Sequence, residues 1–380
     1  MIPFNRPFLP DRAIGYIAEA YRSGKVSGDG LFTKRCEAFL SARYGSRRML
    51  LTTSCTTALE LASLLCRIQP GDEVILPSFT FVSTANAFAL RGAKLVFVDS
   101  LPDHPNMDPA RVAEVVSPKT RAIVPVHYAG VAVDMNPILQ MAREVGALVV
   151  EDAAQAIEAR YQGMPLGTLG DFGAFSFHET KNIHCGEGGM LAIRDAEHVG
   201  RAEILWEKGT NRSAFFRGET AKYGWVDVGS SFLPSDILAA LLWSQLEAVQ
   251  AITARRFRLW ERYFDALEPL RRAGCLELPT VPPFASHNSH CFYLVLPDER
   301  ARSQLIEHLK RRDILAVFHY QSLHASAYFA DKHDGRLMPH ADRFSDCLLR
   351  LPLFHDFRDE EQDRVIGAIH GFFGIESRSA

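Results

Sequence analysis

Through about residue 230 the chain alternates short apolar runs with amphipathic segments, and this alternation constrains the fold more than any other feature. Parallel strands need a crossover connection between them, most often a helix, so the pattern predicts an α/β sheet. Strands are expected at residues 73–76, 94–98, 122–126, 147–151, 174–177 and 190–193, with helices between them, such as 109–116 and 135–145. In the second of these helices, Ile138, Leu139, Met141, Ala142 and Val145 recur near a 3.6-residue period. Residues 235–270 read as one long helical stretch, or two in line. A strand at 291–296, a helix at 301–311 and a strand at 314–319 follow. A chain of 380 residues exceeds what one core usually sustains, so two domains are expected, 1–245 and 246–380. Residues 376–380 are expected to be disordered.

Bulk properties exclude several classes. The formal net charge is -3, with no concentrated Lys/Arg run, so neither nucleic acid nor a membrane surface has electrostatic support as a partner. No stretch approaches the roughly 18 apolar residues that span a bilayer. The start, MIPFNRPFLPDR, lacks a signal-peptide core, so a cytoplasmic protein is expected. The seven cysteines are scattered without a C-x-x-C pair, which fits a reducing compartment better than a disulfide framework or a zinc site. His287 and His290 form an H-x-x-H spacing with no acidic or cysteine ligand beside them, so no metal is expected.

Four segments carry candidate chemistry. Phe175-Ser-Phe-His-Glu-Thr-Lys181-Asn leads into Gly186-Glu-Gly-Gly189. A lone lysine is usually a solvated surface group, but here an apolar run delivers it into a turn whose glycines allow close backbone approach. A lysine with a depressed pKa forms covalent adducts with carbonyls near neutral pH. Ala147-Leu-Val-Val-Glu-Asp152-Ala-Ala-Gln155 ends an apolar strand in two carboxylates. Asp152 could simply cap a helix, yet carboxyl ends of strands are also where α/β proteins place their sites. Leu51-Thr-Thr-Ser-Cys55-Thr56-Thr opens a helical run, and a helix start suits a phosphate as well as an ordinary cap. In Leu76-Pro-Ser-Phe-Thr-Phe81, an aromatic follows a strand end, where it could cover a flat heterocycle or fill a core.

These segments, with GDEVILPSFTFVSTANA, VPVHYAG, VEDAAQA, EKGTNR and VFHYQSLH, are similar to the sugar aminotransferase family of pyridoxal-phosphate enzymes. The likeness runs from Pro3-Phe-Asn to Arg350-Leu-Pro-Leu-Phe354. It implies an aspartate-aminotransferase-type fold, with a large mixed-sheet domain and a smaller C-terminal α/β domain. Within the family the chain most resembles the transaminases that turn dTDP-4-keto-6-deoxyglucose into dTDP-4-amino-4,6-dideoxygalactose.

The resemblance also implies roles. Lys181 corresponds to the lysine that carries pyridoxal 5'-phosphate and shuttles protons, Asp152 to the partner of its ring nitrogen, and Gln155 to the residue near its ring hydroxyl. Cys55, Thr56 and Ser176 fall on phosphate contacts, and Phe81 on the stacked aromatic. Ser231 stands where relatives often supply an Asn from a neighbouring subunit, which implies a homodimer. His319, Tyr320 and Arg212 are the expected substrate contacts, and His178, His184 and His324 also fall near the site. The implied substrates are a nucleotide-linked keto sugar and an amino-acid donor, glutamate. Aminated carbon 3, a UDP-linked sugar or a non-catalytic regulatory relative remain the alternatives, whereas a related dehydratase would carry histidine in place of Lys181.

Overall fold

The computed structural model describes residues 1–374; the expectation of disorder at 376–380 lies outside the described residues. The apolar runs form seven strands: β1 (Arg48–Thr52), β2 (Glu73–Pro77), β3 (Lys94–Val98), β4 (Thr120–Ile123), β5 (Leu148–Asp152), β6 (Phe172–Ser176) and β7 (Gly189–Ile193). They make one sheet in the order β1-β7-β6-β5-β4-β2-β3. All neighbouring pairs are parallel except those of β7, which runs antiparallel to β1 and β6.

Helices cover both faces, and the pleat decides which side chain enters which core. Met49, Leu51, Ile75, Val149, Phe175 and Met190 enter one cluster, while Leu50, Val74, Leu76, Val150, Ala174 and Leu191 enter the other. Burial on both sides explains why these strands read as continuous apolar runs rather than alternating ones.

All six strands expected before residue 230 are present, displaced by no more than three residues at an end. β1 was not anticipated. The 235–270 stretch is two helices, Asp236–Glu247 and Val249–Arg272, bent by 63°. Residue 245, the expected division, lies within the first of these helices, three residues before the bend. No single helix among the described residues is long and apolar enough to cross a membrane.

Beyond the bend, Phe292–Val295, Val317–Phe318 and Leu348–Leu351 form a three-stranded antiparallel sheet with Leu348–Leu351 in the middle. Glu299–Lys310 and Asp359–Phe373 pack on it around a third core containing Phe292, Leu294, Leu305, Leu309, Leu349 and Phe357. The amino terminus is built into this part: Ile2 N–H donates to Asp313 O at 2.6 Å, and Leu315 N–H to Ile2 O at 3.0 Å.

Candidate active site

Parallel strands end on one side of the sheet, and there the chain leaves β1, β2, β5 and β6 to form a cavity of about 780 Å³. Because β7 runs the other way, its first residue, Gly189, lies at the same edge, opposite Thr52 of β1 and Ser176 of β6. A Cβ at Gly189 would stand 2.3 Å from Ser54 C and O and 2.4 Å from Cys55 N. Glycine is therefore what lets the turn after β1 settle against the sheet.

That turn begins the helix Cys55–Leu65. Ser54 caps it through the Thr57 N–H at 3.2 Å, and Thr57 Oγ1 accepts in return from Ser54 N–H at 3.0 Å. Ala58 N–H reaches Ser54 O. The N–H groups of Cys55 and Thr56 are left without an acceptor among the described residues, at the positive end of the helix and facing the cavity. The Thr56 and Ser83 hydroxyls, 2.7 Å apart, and Ser176 lie along the same wall. A helix start with free N–H groups and hydroxyls beside it suits a phosphate.

Asp152 ends β5 and is buried. Its carboxylate accepts from Thr84 Oγ1 at 2.7 Å and from Ala154 N–H at 3.1 Å. Burial nevertheless holds its pKa above the usual range, against the pull of those two bonds and of Lys181 and His127. A buried carboxylate with so little positive charge around it is suited to a cationic partner from a ligand.

Lys181 follows β6 in a turn closed by its own N–H to His178 O at 2.9 Å. Its ammonium makes no hydrogen bond or ion pair among the described residues. Desolvation lowers its pKa, Cys55 and Asp152 oppose the shift, and the Arg350 charge adds to it. The amine is thus easier to deprotonate than an exposed lysine.

Phe81 opens its ring to the cavity mouth and remains 54% exposed. Gln155 accepts from Ala129 N–H at 2.7 Å and donates to the Tyr320 hydroxyl at 2.9 Å. Tyr320 stacks on His319 with ring centroids 3.6 Å apart, and His319 shares a 2.7 Å hydrogen bond with the Tyr128 hydroxyl. Burial pushes His319 well below the ordinary histidine range, and the nearby Arg350 and Lys181 charges add to the shift.

The cavity therefore brings together Lys181, Asp152, Cys55, Thr56, Phe81, Gln155, Ser176, His319 and Tyr320, along with His178. Two expected residues lie elsewhere in the chain. Arg212 does not line this cavity; it is paired with Glu207 at 2.7 Å and lies over the Phe216 ring. Ser231 is exposed on the segment that bridges to Glu207 and does not line this cavity. His184 is held by Phe8 O, and His324 by Ser78 Oγ, both outside the cavity wall. Of the H-x-x-H pair, His290 lines the cavity and His287 packs on Trp260.

Sequence reasoning missed Thr84, Arg350 and the amino-terminal Phe4 and Asn5. Asn5 donates to Glu179 O at 3.1 Å, beside the lysine turn. Thr84 lies in the first turn of the helix Val82–Ala89, and nothing local marks it or the others.

A mixed sheet with a free lysine, a buried carboxylate and a helix start suited to phosphate at its carboxyl edge defines an enzyme built to hold a phosphorylated aldehyde cofactor. The chain belongs to the DegT/DnrJ/EryC1/StrS aminotransferase family, whose model matches residues 9–370.

Solved structures agree along nearly the whole chain. An aminotransferase, TlmJ from Streptoalloteichus hindustanus, is 32% identical, with 98% of this chain and 99% of that one covered and a TM-score of 0.90. DesV of S. venezuelae, determined with a ketimine intermediate, is 31% identical over 98% of each chain, with a TM-score of 0.86. Spr1654 of Streptococcus pneumoniae in its PLP form is 26% identical over 98% of each chain, with a TM-score of 0.88. The residues in this cavity fit that cofactor: the helix start would hold its phosphate, Asp152 its ring nitrogen and Lys181 its aldehyde carbon.

Proposed function

We propose that the protein is a pyridoxal-phosphate-dependent sugar aminotransferase acting on a nucleotide-linked keto sugar. Its substrate is a dTDP-linked 4-keto-6-deoxyglucose, aminated at carbon 4 to the 4-amino-4,6-dideoxygalactose with glutamate as donor. The observation that carries the reading is the unpaired amine of Lys181, in the same cavity as Asp152 and a helix start with free N–H groups.

When bound, the cofactor supplies an electron sink for the charge left by a broken Cα–H bond. Asp152 holds the ring nitrogen protonated, and the helix start and Ser176 fix the phosphate. Lys181, which would hold the aldehyde, has the amine placed to take the donor's α-proton and to return a proton when the sugar is aminated. His319 and Tyr320 face the space the sugar enters. The near full-length similarity, including EKGTNR and VFHYQSLH outside the cofactor-holding segments, supports the substrate.

A second copy of the chain would complete the site. The segment carrying Ser231 also exposes Phe216, Tyr223, Trp225, Val226 and Val228, an apolar surface suited to self-association.

The test is to incubate purified protein with pyridoxal phosphate, glutamate and a panel of dTDP- and UDP-linked keto sugars, and to assign the new amine by NMR. Amination at carbon 4 of the dTDP sugar is expected. Amination at carbon 3, or of UDP sugars alone, overturns the substrate; no amination with any sugar overturns the reading as a whole.

A further inference from the structure

His290 lines the same cavity as Lys181, and none of the roles assigned above uses it. It stands just before the strand Phe292–Val295, at the end of a loop tied to other parts of the chain. The Asn288 amide donates to Gln155 O and to Ile157 O, both at 2.7 Å, in the segment that follows Asp152. Its Oδ1 accepts from the His290 N–H at 3.0 Å. Arg256, on the helix Val249–Arg272, donates to Ser289 O at 3.1 Å and to His290 O at 2.6 Å. Ser289 is buried and takes a φ of 53°, in the left-handed region that a residue with a side chain rarely adopts. Backbone strain of this kind persists only where the surroundings over-determine it, and it gathers at sites of function.

The loop also fixes which ring nitrogen of His290 carries the proton. Asn182, the residue after Lys181, donates from Nδ2 to Asn288 O at 2.8 Å, so its Oδ1 is the atom that meets His290 Nδ1 at 3.1 Å. A carboxamide oxygen only accepts, so Nδ1 must donate. In the neutral ring Nε2 then keeps a lone pair. A second proton would have to sit out of water among Lys181, Arg256 and Arg350, and burial with those three charges holds the ring well below the ordinary histidine range. Nε2 makes no hydrogen bond among the described residues. His319 differs, because its Nδ1 meets the Tyr128 hydroxyl, which can donate or accept, and so its tautomer is not set by the chain. What His290 brings to the cavity is thus a single, oriented hydrogen-bond acceptor.

We propose that His290 Nε2 accepts the hydrogen bond of the sugar hydroxyl next to the keto carbon, an assignment that rests on the aminotransferase reading above. The two substrates differ in what they can give to an acceptor. Glutamate brings two carboxylates, which a bare ring nitrogen repels, and an amine that is the reacting group itself. A sugar brings hydroxyls. In a 4-keto-6-deoxy sugar the keto carbon has one hydroxyl-bearing neighbour, carbon 3, because carbon 5 carries the methyl group and the ring oxygen. Holding that hydroxyl fixes the rotation of the sugar ring, and so the face of the carbonyl turned to Lys181. An acceptor buried without a donor is penalised, so the contact also discriminates against sugars that lack the hydroxyl.

The experiment uses the cofactor-loaded protein and follows the two half-reactions separately by absorbance. The amine form is mixed with dTDP-4-keto-6-deoxyglucose or with the same sugar lacking its 3-hydroxyl, and the aldehyde form with glutamate. Wild type should use the hydroxylated sugar at least about 10-fold more efficiently than the 3-deoxy sugar, a comparison that needs no variant to fold. His290→Asn keeps an amide at the height of Nδ1 for Asn182 but has nothing at the place of Nε2. Its half-saturating concentration for the hydroxylated sugar should rise by about 10-fold, and its preference over the 3-deoxy sugar should shrink to within about 2-fold. His290→Gln, whose amide oxygen reaches the place of Nε2, should recover part of that preference. The glutamate half-reaction should stay within about 2-fold of wild type in both variants.

Equal use of the two sugars by wild type, an undiminished preference in His290→Asn, or an equal loss in the glutamate half-reaction would each overturn the assignment. The last outcome would tie His290 to Lys181 rather than to the sugar. An amine form that reacts with no keto sugar overturns the aminotransferase reading instead, and so the two failures are distinct.

Discussion

Replacing Gly189 with alanine should weaken the fold and the cofactor site together. The new Cβ would stand 2.3 Å from the Ser54 backbone, whereas ordinary contact begins at 3.4 Å, so the turn or the strand must yield by about 1 Å. The clash is with the backbone of Ser54 and Cys55, and Gly189 is itself on a strand paired to both β1 and β6, so no side chain can swing aside. Overpacking of this kind costs about 1–3 kcal/mol. The displaced turn carries the free N–H groups of Cys55 and Thr56. A misaligned hydrogen bond to a charged phosphate costs about 1.5–3 kcal/mol, or roughly 10- to 100-fold in cofactor affinity.

Titrating the cofactor-free protein with pyridoxal phosphate by absorbance reads the second effect, and urea unfolding reads the first. Gly200→Ala is the control. It lies within the helix Ala196–Trp206 with nothing within 4 Å of its Cβ position, so cofactor affinity should hold and stability should rise by about 0.4–1 kcal/mol. A Gly189→Ala protein that binds the cofactor as tightly as wild type and unfolds at the same urea concentration would refute the close-approach argument.

Other outcomes follow from the same geometry. Lys181→Ala should abolish transamination, by at least about 100-fold, with folding retained; turnover at the wild-type rate would remove it from the role. Asp152→Asn keeps the shape but not the charge, so kcat should fall by about 100-fold or more with unchanged far-UV circular dichroism. Thr84→Val removes the 2.7 Å bond to Asp152 and should raise that carboxyl's pKa further, lowering kcat more than it alters the donor KM. Burial raises Glu37 from 4.5 to about 7, against the pull of Arg48. Its folded pKa exceeds its unfolded one, so its contribution is full below pH 4.5 and lost as pH rises through 7; relative to Glu37→Gln, wild type should lose up to about 3 kcal/mol across that window in urea titrations. Sedimentation of the purified protein as a monomer would remove the proposed role of a second copy.

The strands flanking Asp152 and Lys181 were legible because burial on both faces leaves an unbroken apolar run, and because functional groups stand where such runs stop. Strand β1 escaped because Arg48-Met-Leu-Leu-Thr runs straight into the capping segment, and its partner β7 lies far along the chain. The bend at Ala248 carries neither glycine nor proline, so nothing local announces it. Arg212 drew attention as a cation near a recognisable motif, yet Glu207 neutralises it, while Arg350 sits in an ordinary-looking strand. Whether a charge is free depends on which neighbours the fold brings to it, and that is not written within a few residues of either arginine.

The amino-terminal segment also bears on the order in which the molecule is assembled. Ile2 waits for Asp313 and Leu315, Phe4 for Arg350, and Asn5 for the Glu179 carbonyl. During synthesis the large sheet can form once β7 has emerged, but Ile2 and Phe4 have no place to dock until the later part of the chain, with Asp313, Leu315 and Arg350, exists. The cofactor pocket is therefore open on one side through most of translation and closes only when the two ends of the chain meet.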